Sequence, residues 1–184
     1  MGVEPEPDDY AHRNYCAEGA IAVLLSTWTS AVPSIDDIGV SAHVVESRGT
    51  RGADAMQAIN GYLEQITGTA HYSYSESYVT SMAVLKSLLE TDLSGQGRLG
   101  SAGHGSPVLV RVRTATLPGW NGWQAGHVIA VFGYDFTSGD PTVDTVTYAE
   151  SASLVAAYEG PQVQTISLAD LWAAVPTALP TPRA

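Results

Sequence analysis

Apolar residues recur at helical spacing along the first half of the chain. Ala20, Val23, Leu24 and Trp28 fall on one side of a helix, and they predict a helix over 15–29. Serine residues that can cap a helix precede two further apolar segments, and similar spacing marks two others. The additional helices predicted in this way span 35–38, 53–66, 81–93 and 168–175.

Short β segments separated by turns dominate the second half. The clearest is a hydrophobic run that His127 opens and Gly-Tyr-Asp closes. The segments predicted as strands span 71–75, 107–113, 126–134, 142–149 and 162–166. Helices followed by an antiparallel sheet indicate an α+β protein. We expect one domain over 13–176, with a flexible acidic lead-in at 1–12 and a proline-rich tail at 177–184.

Composition narrows the classes of function. Nineteen acidic residues against eight basic ones give a formal charge of −11, which argues against nucleic acids and anionic membranes as partners. No apolar run has the length of a membrane span, so we expect no membrane insertion. The acidic, proline-rich start is unlike a signal peptide. Lys86 is the sole lysine, a composition typical of bacteria with GC-rich genomes, and location stays open between secreted and cytoplasmic.

Cofactor chemistry has little support in the sequence. Cys16 is the only cysteine, which excludes an intrachain disulfide and a multi-cysteine zinc site. The glycine-rich segment 93–105 lacks the Gly-Lys-Ser/Thr ending of a phosphate loop. We therefore expect no metal and no organic cofactor.

Cys16 and His127 form the candidate chemical pair. Cys16 lies where a loop turns into the first helix, and the positive end of a helix dipole favours the nucleophilic thiolate. A thiolate also requires a group that shuttles its proton, and His127 at the start of a late strand meets that requirement. The alternatives are a buried structural cysteine and a strand histidine satisfied by the backbone.

The Asn-Tyr-Cys helix start, the Gly-His-Val-Ile-Ala-Val-Phe-Gly-Tyr-Asp strand and their order resemble papain-fold cysteine peptidases. The similar branch is that of the bacteriocin-processing, double-glycine leader peptidases, and the resemblance extends over about 10–172. It implies a papain-like fold with Cys16 as nucleophile and His127 as general base. The resembled family usually places an aspartate or asparagine one strand after the histidine, and Glu150 best matches that position here. Asp144 on the same strand is the second candidate. Asp135 is interpreted as a turn residue.

The oxyanion hole departs from the resembled family. Its usual glutamine, about six residues before the cysteine, is replaced by Tyr10, which leaves Tyr10, His12 and Asn14 as candidate donors. The usual Cys-Gly-Pro is also changed, so that Glu18 places an acid near Cys16.

Substrate contacts are expected from the loop before the histidine strand. Trp120, Trp123 and Gly126 are the candidates, and packing of the tryptophans beneath the loop is the alternative.

The leading hypothesis is a papain-like cysteine hydrolase that acts on a peptide or a related amide or thioester. One alternative is an acyltransferase or cyclase with the same Cys-His-acid site. Another is a non-catalytic binding domain with a papain-like fold. The sequence leaves the substrate and the oligomeric state open.

Overall fold

The computed structural model describes residues 3–68, 74–95, 105–176 and 180–183. The helices are α1 (Cys16–Leu25), α2 (Ile35–Ser41), α3 (Gly52–Thr67), α4 (Met82–Leu93) and α5 (Leu168–Ala174). The strands are β1 (Ser75–Tyr78), β2 (Val108–Arg113), β3 (Gly126–Asp135), β4 (Thr145–Ala149), β5 (Val163–Ser167) and β6 (Pro180–Arg183). None of these helices is both long enough and apolar enough to cross a membrane.

The main sheet has the order β2-β3-β4-β5, and every neighbouring pair is antiparallel. Val112 lies opposite His127 in the β2–β3 register. The β3–β4 register shifts between Val131 and Gly133, a local irregularity of the kind that bends a strand. Helices beside an antiparallel sheet confirm the predicted α+β class in the described part of the chain.

Helix α1 is enclosed by the rest of the protein. Every residue from Ala17 to Leu25 is buried, with α2 and α3 on one side and the face of the sheet that carries Leu109 and Ala130 on the other. A second apolar cluster fills the opposite face of the sheet against α4 and α5. Because α1 is packed all around, the position of Cys16 at its exposed start is rigidly defined.

The ends of the helices follow local hydrogen bonding. Helix α1 is shorter than predicted, because the hydroxyls of Ser26 and Thr27 donate to the carbonyls of Val23 and Leu24 while the backbone tightens after Leu25. The predicted caps are confirmed, since Ser34 and Ser167 each accept a backbone N–H three residues ahead. Ser81, predicted as the first helical residue, likewise caps α4.

Residues from both terminal segments contact the rest of the fold. Within the supposedly flexible lead-in, Glu6 is buried: its N–H donates to the Ser151 carbonyl at 2.8 Å, and its carboxyl accepts the Ser151 hydroxyl at 2.6 Å. Within the expected tail, β6 pairs antiparallel with β1, since prolines are tolerated on an edge strand.

Two other predictions fall partly or mostly outside the described residues, the strand at 71–75 and the glycine-rich segment. Tyr74 precedes β1, which begins at Ser75, while 71–73 lie outside the described residues. Most of the glycine-rich segment, 96–104, also lies outside them.

Two close contacts set the geometry around the first helix and the sheet. The buried Tyr74 hydroxyl donates to the Pro107 carbonyl at 2.7 Å and accepts the Leu109 N–H at 3.0 Å, which ties this segment to the start of β2. Gly19 allows α1 to approach the loop after β4, because a Cβ there would lie 2.4 Å from the Cβ of Ser151. This approach brings the start of α1 close to Glu150.

Candidate active site

Cys16 is the first residue of α1 and is partly exposed. Its backbone N–H belongs to the first turn, where no intrahelical acceptor is available. Tyr15, the residue before it, makes no side-chain capping bond to the helix.

His127 is held between a thiol and a carboxylate. Its Nε2 lies 2.6 Å from Oε1 of Glu150, and the Cys16 thiol lies close enough to the ring to raise the pKa of His127. Because a carboxylate only accepts hydrogen bonds, Nε2 must donate to Glu150. Nδ1 is thus the ring nitrogen left for the thiol, and the tautomer is defined by Glu150.

Glu150 is fully buried and collects three N–H donors. Its Oε1 accepts from His127 and from the backbone N–H of Ala152 at 3.0 Å, while Oε2 accepts from the indole of Trp120 at 3.2 Å. The Trp120 ring also packs edge-on against His127, with ring centroids 5.1 Å apart. Trp120 therefore orients Glu150 and shields the His127–Glu150 pair from water.

The surroundings of His127 and Glu150 favour the charged forms of both side chains. Burial by itself lowers the pKa of His127, but the charge of Glu150 and the hydrogen bonds to Cys16 and Glu150 raise that pKa well above its ordinary value. Burial raises the pKa of Glu150, yet His127 and the donors around the carboxylate lower it below its ordinary value. An imidazolium–carboxylate pair is the favoured state at neutral pH.

Two more carboxyls lie near the pair. Burial raises the pKa of Glu18, whose Oε1 accepts the Thr50 hydroxyl and whose Oε2 has no partner among the described residues. Burial also raises the pKa of Glu6, although the charge of His127 and the Ser151 hydroxyl act in the opposite direction. Both shifts favour the neutral carboxyl, so Glu18 is biased against carrying the negative charge that the sequence places beside Cys16.

The three candidate oxyanion donors differ in availability. Tyr10 is 68% exposed with the guanidinium of Arg13 over its ring. The two ring nitrogens of His12 bind carboxylates, Nδ1 to Asp9 and Nε2 to Asp36.

Asn14 is the third candidate donor. Its side-chain amide donates to the carbonyl of Glu46. The residue lines both cavities beside Cys16. Asn14 is therefore the best placed of the three.

Two cavities meet at Cys16 and His127. The arginine cavity, about 190 Å³, is also lined by Arg48, Arg111 and Arg113. The tryptophan cavity, about 250 Å³, is also lined by Trp120, Trp123 and the acids of residues 6–9.

The three candidate substrate contacts border these cavities differently. Gly126 borders both cavities, and Trp123 is 59% exposed at the tryptophan cavity. Trp120 borders the tryptophan cavity but is only 4% exposed, with its indole N–H bound to Glu150.

The reserve acids lie elsewhere. Asp144 pairs with Lys86 at 2.7 Å and accepts from Ser138 and Gly139, outside the pair. Asp135 ends the histidine strand and accepts the Thr137 N–H, as expected of a turn residue. Among the described residues, no group of three or more His, Cys, Asp or Glu side chains is arranged to hold a metal ion.

Sequence reasoning missed the arginines and the link between Trp120 and Glu150. The Arg-Val-Arg end of β2 carried a signal, because two charges interrupt an otherwise apolar strand just before the histidine strand. The bond from Trp120 to Glu150 spans thirty residues and has no local signature.

Comparison with known proteins adds no family to this description. No protein-family model matches the chain, and no curated protein matches it in sequence. The functional interpretation consequently rests on the residues and geometry of the site.

Proposed function

We propose that the chain is a papain-like cysteine hydrolase that cleaves a peptide, or a related amide or thioester, through a thioacyl intermediate. The observation that carries the proposal is the continuous arrangement of Cys16, His127 and the buried Glu150 beside two cavities. A nucleophile, a proton shuttle and an orienting acid in hydrogen-bonding order is the arrangement such catalysis requires.

In the first half-reaction the Cys16 sulfur attacks the substrate carbonyl carbon, and the electron pair of the C=O bond moves to oxygen. When the tetrahedral intermediate collapses, His127 donates its Nδ1 proton to the departing amine or thiolate. Glu150 holds the ring in place through Nε2 and stabilises the imidazolium before that transfer.

In the second half-reaction neutral His127 takes a proton from water, whose oxygen attacks the thioester carbon. The C–S bond then breaks, the thiolate is restored, and the product acid leaves. An amine that replaced water at this step would yield the transferase or cyclase alternative instead of hydrolysis.

The developing oxyanion requires N–H donors. The backbone N–H of Cys16 is one, and the second proton of the Asn14 amide, which is not needed for the bond to Glu46, is the other we assign. Loss of one such donor costs about 100- to 1,000-fold in rate. Asn14→Ala tests this assignment, with Gln57→Ala, which removes an exposed side-chain amide from α3, as the control.

One observation favours a non-catalytic binding domain as a second candidate. His12 is engaged by Asp9 and Asp36, so one of the three expected donors is used elsewhere, and Tyr10 is 68% exposed with its ring against Arg13. Under this alternative the cavities bind a peptide without cleaving it, and Cys16 behaves as an ordinary thiol.

The pH dependence of Cys16 alkylation by iodoacetamide tests the proposal. Because the chain has one cysteine, intact-mass spectrometry reports on this site alone. We expect rapid labelling well below pH 8 in the parent and its loss in His127→Ala, since the imidazolium stabilises the thiolate. His43→Asn is the control, because that exposed histidine adopts a left-handed backbone that asparagine tolerates.

Slow labelling that rises only near the ordinary thiol pKa of about 8.5, and that His127→Ala leaves unchanged, would refute the enzyme proposal. With rapid labelling established, thioester and peptide substrates follow. Release of free acid supports hydrolysis, and product that appears only with an added amine supports the transferase.

A further inference from the structure

The two cavities that meet at Cys16 differ in charge. Three of the chain's eight basic residues, Arg48, Arg111 and Arg113, line the arginine cavity, although the formal charge of the protein is −11. Among the described residues that line it there is no aspartate or glutamate. The tryptophan cavity is lined instead by three acids from the N-terminal segment and by one arginine.

The fold brings these arginines together from separate elements. Arg111 and Arg113 flank Val112, the residue directly opposite His127, and so share the other face of β2. Arg113 lies across from Gly126, where a Cβ would meet no atom within 4 Å, so the face of β3 opposite Arg113 is open at this position. Arg48 reaches the cavity from the turn before α3.

In the part of the chain that the structure describes, the three arginines differ from Arg13 and Lys86 in their ion pairing. Arg13 pairs with Glu46 at 3.3 Å and Lys86 pairs with Asp144 at 2.7 Å. Among the described residues, no carboxylate lies within 4.0 Å of Arg48, Arg111 or Arg113. Positive charges are therefore gathered beside the reactive pair without neutralisation.

We propose that the arginine cavity is a carboxylate-binding subsite, so that the substrate carries a carboxylate on the side of the reacting bond that lies there. The proposal rests on the proposed function, since it uses Cys16 as the reacting atom. Guanidinium groups bind carboxylates in bidentate geometry. A volume of about 190 Å³, roughly six waters, accommodates a carboxylate with a few carbons.

A pair of electrophiles of matched size tests the subsite. Chloroacetylglycine carries a carboxylate and chloroacetylglycinamide is neutral; in both, the Cys16 thiolate forms a C–S bond and displaces chloride. The measured quantity is the second-order rate constant of the anionic reagent divided by that of the neutral reagent. This ratio is compared with the same ratio for free N-acetylcysteine. We expect the anionic reagent to be favoured several-fold by the protein, and less so at high ionic strength.

Arginine variants locate the effect. We expect Arg111→Gln, Arg113→Gln and Arg48→Gln each to lower the ratio about three- to tenfold, the range of one partly exposed charged contact. Arg51→Gln is the matched control, because it removes the same charge from an exposed arginine that does not line the cavity. It should change the ratio by less than about twofold.

The outcomes separate this inference from the proposed function. Suppose that the uncharged reagent labels Cys16 rapidly and that this labelling depends on His127, while the anionic-to-neutral rate ratio of the parent protein equals that of N-acetylcysteine. The carboxylate subsite is then wrong and the enzyme proposal stands. A ratio lowered as much by Arg51→Gln as by the lining variants also overturns the subsite. The salt dependence of the parent needs no variant, so a poorly folded variant leaves the test intact.

A second pair identifies the source of the carboxylate. Chloroacetyl-aspartic α-amide presents a side-chain carboxylate, whereas chloroacetylglycine presents a terminal one. A preference for one anion supports the subsite and names its source, and equal rates that both exceed the rate of the neutral amide support a subsite that takes either. Rates for both anions equal to that of the neutral amide overturn it.

Discussion

Replacement of Glu150 by glutamine tests whether a carboxylate, rather than any polar side chain, is required beside His127. Three N–H groups converge on Glu150, from His127, Ala152 and Trp120. A carboxylate accepts from all three, but an amide has one accepting oxygen and an –NH₂ that only donates. In either orientation of the new side chain, at least one N–H faces another N–H.

The magnitude follows from these contacts. One buried donor without a partner costs about 1–3 kcal/mol. Loss of the negative charge facing the His127 imidazolium adds to this, and breaking a buried ion pair costs about 3–5 kcal/mol in all. We therefore expect Glu150→Gln to lower the free energy of unfolding by about 3–5 kcal/mol at pH 6.

The stability cost of Glu150→Gln should decrease as the pH rises above about 6. Glu150 raises the pKa of folded His127, so the stabilisation is fully present below the unfolded histidine value of about 6.5 and is lost as pH rises through the folded pKa. It is lost again in acid as pH falls through the lowered pKa of Glu150. The difference between parent and variant should therefore be largest near pH 6 and shrink above it.

Urea unfolding of four proteins measures the effect: the parent, Glu150→Gln, Trp120→Phe and the double variant. Without the indole N–H, the glutamine –NH₂ meets no opposing donor. Glu150→Gln should thus cost about 1–2 kcal/mol less in the Trp120→Phe background. Glu159→Gln, an exposed acid that accepts from Asn121, removes the same charge and should cost less than about 0.5 kcal/mol. Equal costs for Glu150→Gln and Glu159→Gln, or no coupling to Trp120, would refute this reasoning.

Two further predictions concern the packing that positions the site, and urea unfolding measures both. Tyr74→Phe leaves two buried backbone groups without a partner and should cost about 2–4 kcal/mol, whereas Tyr78→Phe, at a 67% exposed position, should be neutral; equal effects would contradict this. Gly19→Ala should cost about 1–3 kcal/mol because its Cβ meets Ser151, while Gly61→Ala, in α3 with open space around it, should gain about 0.5–1 kcal/mol; a gain at Gly19 would show that α1 can shift freely.

Local patterns account for what the sequence predicted. The helical spacing of Ala20, Val23 and Leu24 and the capping serines Ser34 and Ser167 determine structure within a few residues of themselves, and the structure has helices there. The ends were less predictable. Helix α1 stops at Leu25 because hydroxyls compete for its last carbonyls, which a hydrophobic pattern does not record.

For the candidate site, the sequence singled out Cys16, His127 and Glu150 by residue type and order, and the structure brings these three together. It also offered Tyr10, His12 and Asn14 as equal oxyanion donors. Only the folded chain separates them, because the acids that bind His12 and the carbonyl that binds Asn14 come from other segments.

The sequence by itself determined the α+β order and singled out the candidate reactive residues, because helical and strand periodicities and a unique cysteine are local properties. Tertiary structure decided the surroundings of those residues. Glu6 meets Ser151 across 145 residues, and the arginine cavity combines a turn before α3 with the end of β2. Such contacts depend on how elements pack, and packing joins residues whose separation along the chain carries no periodic signal.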